Sequence, residues 1–254
     1  MERISVFDIF KIGVGPSSSH TIGPWRAAED FLKRFTEAGH PLSAIKDLKV
    51  ELFGSLAKTG KGHGTDLAAV MGLLGEDIET VDVDTVVERF DRIMEEGEIL
   101  IAGQHKLPFI KNAQLIFNFD VTQNYHANAM ELSFFLVDGS SFSEMYYSIG
   151  GGFIQRHGSE EQSSDSKAEI PFPIDAAKDL INWTPDEKRS IAAVAMINEL
   201  HWRSHDEIRQ GLKKIWEVMK ESVHRGCHTE GILPGGLNVS RRAAHIHDQL
   251  IEDI

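Results

Sequence analysis

Apolar positions along this chain recur first at helical spacing, then at every second residue, and after a polar gap at helical spacing again. From Pro24 the residues Trp25, Ala28, Phe31 or Leu32 and Phe35 mark one helical face. Gly39 followed by Pro41 gives a stop, so a helix is expected from about Pro24 to Ala38. Leu48-Lys49-Val50-Glu51-Leu52 alternates apolar and charged, the pattern of a half-buried strand. A compact helix is expected from Thr65 or Asp66 as N-cap through Leu67, Val70, Met71 and Leu74 to Gly75. Another, capped by Asp82 or Asp84, carries Val86, Val87, Phe90, Ile93 and Met94 to Gly97. The period then becomes two. Residues 98–102, 113–119, 129–137 and 142–148 read as antiparallel strands, the last two joined at Asp138-Gly139. Ile4 to Phe10 fits either a first strand or one helical turn.

From His157 to about Ile170 the chain is polar and without period, as a linker is. Beyond it everything reads as helix. Thr184-Pro185-Asp186-Glu187 and Ser204-His205-Asp206-Glu207 have the form of capping boxes. The second leads into a stripe of Ile208, Leu212, Ile215, Met219 and Val223, with Gly226 as the stop. A last periodic stretch starts at Ser240 and is still running at Ile254. This is expected either of a domain that continues further or of a terminal helix docked on the core. The fold class is α+β: an amino-terminal α/β sandwich over 1–156, a linker over 157–172, and an all-α segment over 173–254.

Charge narrows the partners. With 39 acidic against 26 basic residues the formal charge is −13, which opposes binding to nucleic acid or an anionic membrane. No signal segment opens the chain and no apolar run is long enough to span a bilayer, so a cytoplasmic protein is expected. The single cysteine, Cys227, excludes an internal disulfide and cannot by itself hold a zinc ion or an iron–sulfur cluster.

Two stretches carry candidate chemistry. Ser17-Ser18-Ser19-His20-Thr21 lies between Gly15-Pro16 and Gly23-Pro24 and leads into the first long helix. A helix N-terminus offers free N–H groups and positive potential to a carboxylate or phosphate, to which hydroxyls add donors. Without a ligand the same run is a serine-rich capping loop. The second stretch, Gly54 to Asp66, places three glycines (60, 62, 64) beside Lys61 and His63. It does not satisfy the P-loop pattern, so nucleotide binding is a weak reading. Tyr125-His126-Ala127-Asn128 adds an imidazole and an amide before a strand. Tyr146 to Ile154 contains three consecutive glycines, which read as a structural exit toward the linker. Among the twelve histidines no metal spacing stands out. His224 and His228 straddle Gly226, and His245 and His247 would point to different faces of a helix, so no metal ligands are expected. A serine hydrolase lacks its GxSxG elbow.

In order along the chain, GPSSSHT (15–21), GSLAKTGKGHGTD (54–66), HAN (126–128), YYSIGGGF (146–153) and GILPGGLNVSRRA (231–243) resemble the iron–sulfur-dependent bacterial L-serine dehydratases. The resemblance implies a first domain like the allosteric substrate-binding domain of some phosphoglycerate dehydrogenases, and a second, helical catalytic domain with a 4Fe-4S cluster. It implies that Ser17, Ser18, Ser19, His20 and Thr21, with Lys61, His63, Gly64, Thr65 and Asp66, line an interdomain site for L-serine, His126 and Asn128 standing beside them. His63, and after it His20, is the implied proton-transfer group. The family's cluster cysteines have no counterpart here. This chain is therefore expected to be the amino-terminal part, without cofactor or dehydratase activity on its own, and to work as a homodimer or with a carboxy-terminal catalytic portion. A non-catalytic module binding serine or another small carboxylate is the alternative.

Overall fold

The computed structural model describes residues 4–159, 170–186, 189–233 and 238–252. It divides into two compact units. One comprises 13–160 with 231–240, and the other 1–12, 161–230 and 241–254. The first is built on a sheet and the second is helical, the α+β organisation expected.

In the sheet unit α2 (Ile22–Glu37) leads into β1 (Ile45–Phe53), which lies between β4 (Leu115–Asn118) and β5 (Asn128–Leu136); β6 (Ser141–Gly150) and β7 (Phe153–Arg156) complete the order β4-β1-β5-β6-β7. β1 and β4 run parallel and the other neighbours antiparallel. Alternation decides which side chains meet. Leu48, Val50 and Leu52 pair in register with Phe134, Leu132 and Met130, and all six are buried. Phe31 and Phe35 of α2 reach this layer, their ring centroids 4.7 and 5.0 Å from that of Phe134. Tyr146 brings its hydroxyl into the same layer and donates to Asp30 Oδ2 at 2.8 Å, and burial followed by the Asp30 charge raises its pKa. Side chains of this size contribute about 1.5–3 kcal/mol each when fully buried.

Three short helices follow β1: α3 (Gly54–Lys58), α4 (Gly60–His63) and α5 (Thr65–Leu73). α5 lies against α2 so closely that a Cβ on Gly72 would stand 2.5 Å from the Trp25 carbonyl oxygen and 2.7 Å from Ala28 Cβ. The N-cap of α5 is Gly64, at φ 74°, in place of the expected Thr65 or Asp66. Likewise α6 (Val86–Glu96) starts after Thr85, because the Asp82 side chain accepts from the Asp84 amide in the preceding turn. The expected run of antiparallel strands needs two corrections. Residues 98–101 form β2 (Glu98–Ile101), which pairs with β3 (His105–Pro108) in a separate hairpin, and β4 joins the main sheet in parallel.

In the helical unit Ile4 to Phe10 resolves as the turn α1 (Val6–Ile9), with Ser5 and Asp8 forming a capping box. Ser5 Oγ and the Val6 amide donate to the two carboxylate oxygens of Glu199, at 2.8 and 2.7 Å. Glu199 ends α8 (Ile191–Glu199), and through these two bonds α1 packs with the helices. The capping box expected at Thr184 does not form. α7 (Ala177–Asp186) runs through it, and the Thr184 hydroxyl turns back to the Leu180 and Ile181 carbonyls, the second of which Pro185 has no N–H to serve. Ser190 caps α8 instead, and Glu187 lies outside the described residues. The box at Ser204 does form and starts α9 (His205–Cys227), while the terminal stretch forms α10 (Ala243–Glu252).

Candidate functional site

The two motif stretches meet beside the carboxyl end of β1. Ser17 to Thr21 coils into a turn that continues into α2. The His20 and Thr21 amides donate to the Ser17 carbonyl, Gly23 to that of Ser18 and Trp25 to that of Thr21. Pro24 has no N–H, so the amides that an uncapped helix start would offer to an anion are largely engaged within the turn, and side chains provide the remaining donors. The second stretch reverses direction at Gly54, at φ 54°, where a Cβ would come within 2.2 Å of the Ala127 carbonyl oxygen. Only glycine fits there. The Ser55 amide donates to that same carbonyl at 2.8 Å and so ties the His126–Asn128 loop to the start of α3.

His20 is the hub. Its Nδ1 is 2.9 Å from Ser19 Oγ, and its Nε2 is 3.1 Å from Ser55 Oγ and 3.0 Å from Thr59 Oγ1. The Thr59 hydroxyl donates to the Ser55 carbonyl at 2.9 Å, so toward His20 it accepts. Nε2 then carries the ring proton and Nδ1 accepts from Ser19. Thr65, fully buried, donates to the His20 carbonyl at 2.7 Å, and buried Thr21 donates to the Ser17 carbonyl. These two threonines hold the turn in shape and have no hydroxyl proton left for a ligand.

The His63 ring lies 5.0 Å from that of His20, tilted by 42°. Its Nδ1 is 2.8 Å from the Thr59 carbonyl, which can only accept, so in the neutral ring the lone pair sits on Nε2. His63 is thus oriented as a base by its own helical turn. Burial, and after it the neighbouring His63, lowers the pKa of His20. A ring whose pKa is lowered by folding favours the folded state above the unfolded value of about 6.5 and loses that contribution as pH falls from there through the lowered folded value. A proton-NMR titration should place the His20 midpoint below the ordinary histidine range, and His63→Gln should move it upward. No upward movement would mean that the two rings do not interact.

Around this pair Lys61 is exposed, Ser17 Oγ lies 3.4 Å from Ser19 Oγ, and Ser18 holds Gly23 through its carbonyl. Gly64 supplies the left-handed turn into α5. Burial raises the pKa of the Asp66 carboxyl, while the Leu67 amide and then Lys111 and Lys61 oppose the rise. His126 Nδ1 accepts from the Asn128 amide at 3.0 Å, leaving its N–H on Nε2, and Asn128 Nδ2 donates to the Ser148 carbonyl at 3.2 Å. His126 and Asn128 therefore organise the starts and ends of neighbouring strands beside α3, and no hydrogen bond joins either to His20 or His63 among the described residues. Ser55 and Thr59 escaped the sequence reading. Their signal was the i, i+4 spacing within GSLAKTG, which matters only once that segment is known to be helical. The Tyr147 hydroxyl, 3.0 Å from His157 Nδ1, was equally unread.

The serine dehydratase beta chain model matches residues 5–159 and the serine dehydratase alpha chain model matches 186–254. An L-serine dehydratase of Streptomyces coelicolor is 41% identical over 246 residues, covering 95% of this chain and 54% of the relative. L-serine dehydratase 2 of Escherichia coli is 40% identical over 252 residues, covering 98% and 54%, and the Helicobacter pylori enzyme is 34% identical over 257. The chain spans about half the length of the curated relatives it matches. With both of the family's chain models matched in order, and the first over more than half of its residues, this chain belongs to the L-serine dehydratase family.

Proposed function

We propose that the sheet unit binds L-serine at the Ser17–His20 turn and the α3–α4 segment, and that it serves the elimination of water from L-serine in a complete cytoplasmic dehydratase. The observation that carries this reading is the His63 ring, half-buried, held at Nδ1 by the Thr59 carbonyl and 5.0 Å from a second imidazole surrounded by hydroxyls. Lys61 and the serine hydroxyls suit the substrate carboxylate. His63 Nε2 takes the α-proton. The C–H electrons become the Cα=Cβ bond as hydroxide leaves the β-carbon, and hydrolysis of the resulting aminoacrylate gives pyruvate and ammonia. Hydroxide is a poor leaving group, and the family's cluster is the expected source of electrophilic help. A four-iron cluster is held by several thiolates, whereas this chain has the single half-buried Cys227, and no three His, Cys, Asp or Glu side chains among the described residues converge on a common point. The cluster does not fit these residues, and we assign no step to it.

Binding is tested on the chain itself. L-serine should raise the melting temperature, the gain corresponding to about 2.7 kcal/mol at a hundred times Kd, and Ser19→Ala and Lys61→Ala should each shrink it. No shift at saturating serine would sink the proposal.

A further inference from the structure

The serine site leaves the YYSIGGGF stretch (146–153) unused. After the buried pair Tyr146 and Tyr147, β6 bends into β7 through Gly150, Gly151 and Gly152, all at positive φ (99, 59 and 77°). That bend lies on the first turn of α2. A Cβ on Gly152 would stand 2.7 Å from Ile22 Cγ2, and the Gly152 carbonyl accepts from Arg26 Nη1 at 3.3 Å. Ser148 packs there too. A Cβ on Gly23 would come within 2.0 Å of Ser148 Oγ, so the missing side chain of Gly23 makes the room that this hydroxyl occupies.

The other motif stretch is also within reach. The Ser148 carbonyl accepts from Asn128 Nδ2 at 3.2 Å, and Asn128 pairs as an isolated bridge with Gly54, where α3 begins and carries Ser55 to His20. Ser148 therefore lies against the elements that carry both stretches. Only 3% of its surface is exposed, yet its Oγ has no hydrogen-bond partner among the described residues. A buried hydroxyl left unpaired costs stability, and native structures rarely keep one without a use. Thr21 and Thr65 spend their protons on the Ser17 and His20 carbonyls, whereas the Ser148 proton is uncommitted at the positive end of a 16-residue helix. Turning about its Cα–Cβ bond breaks no hydrogen bond, so the hydroxyl can follow a ligand seated on the turn.

We propose that Ser148 is a further binding residue of the serine site, its hydroxyl donating to the carboxylate of L-serine beside the first turn of α2. The assignment rests on the reading that the Ser17–His20 turn binds L-serine. Removing an unpartnered hydroxyl orphans nothing, so Ser148→Ala should melt no lower than the parent. Its Kd for L-serine, from calorimetric titration of the full chain, should nevertheless rise about tenfold or more, the loss of one hydrogen bond to a charged group. Ser133→Ala is the control. Ser133 is also buried, on β5, but its hydroxyl accepts from Ser143 Oγ at 2.8 Å, so this change should lower the melting temperature and leave the Kd in place. A Ser148→Ala chain that loses affinity only together with a lowered melting temperature would make Ser148 a packing residue and overturn the proposal. Equal affinity in parent and variant would overturn the assignment alone. A parent chain that binds no L-serine would bring down the serine reading and this assignment together.

Discussion

His63→Gln should lower turnover of L-serine by roughly two to four orders of magnitude, the usual contribution of a positioned general base, while leaving KM within a few-fold of its starting value. The measurement needs a whole enzyme: a chimera in which this chain replaces the matching part of the Streptomyces coelicolor dehydratase, assayed anaerobically for pyruvate. The split between kcat and KM follows from geometry. The His63 ring is held through Nδ1 by the Thr59 carbonyl and makes none of the hydroxyl contacts that gather at His20. Glutamine can keep a polar contact to that carbonyl but has no basic nitrogen. His20→Gln should behave differently. Both of its ring nitrogens are engaged by Ser19, Ser55 and Thr59, so its loss should disturb serine binding first and show in KM. A His63→Gln chimera that keeps a third or more of its kcat would place the base elsewhere. If serine still bound the chain, that result would favour an effector site over a catalytic one.

The helices and strands with long, regular patterns were legible because burial enforces their periods. Trp25, Ala28, Phe31 and Phe35 are all buried on α2, and Met130, Leu132 and Phe134 on β5. The expectation weakened wherever the decisive partner was distant in sequence. Nothing in residues 4–10 announces that Glu199 will cap them, and the four-residue strands β3 and β7 are too short for alternation to show. The same limit applied at the site. The two motif stretches were identifiable by composition, but His20 and Thr59 meet across 39 positions, and the amides expected to face an anion turned inward because the serine run folds as a turn. Glycine served better: the stop expected at Gly226 and the observed end of α9 at Cys227 differ by one residue, within the one or two residues over which a helix end frays.

Trp25→Ala should destabilise the sheet unit by about 3–5 kcal/mol, a large share of the 5–15 kcal/mol that holds an ordinary domain folded. Trp25 has no exposed surface, and its Nε1 donates to the Glu76 carbonyl at 2.7 Å, so the change leaves both a cavity and an orphaned acceptor. The surroundings have little room to collapse into that space, because α5 touches α2 at backbone distance through Gly72. Urea unfolding followed by circular dichroism would measure the loss. Trp216→Ala supplies the contrast: that side chain is 60% exposed on α9, and its removal should change stability by no more than about 0.5 kcal/mol. The consequence reaches the site, since the Ser17–His20 turn is continuous with the first turn of α2. At temperatures where the Trp25→Ala chain is still folded, the stabilisation by L-serine should already be smaller than in the parent. A cost under 1 kcal/mol, or serine stabilisation unchanged in the folded variant, would mean that α2 does not transmit its packing to the turn, and that the turn holds its shape through Thr21 and Thr65 alone.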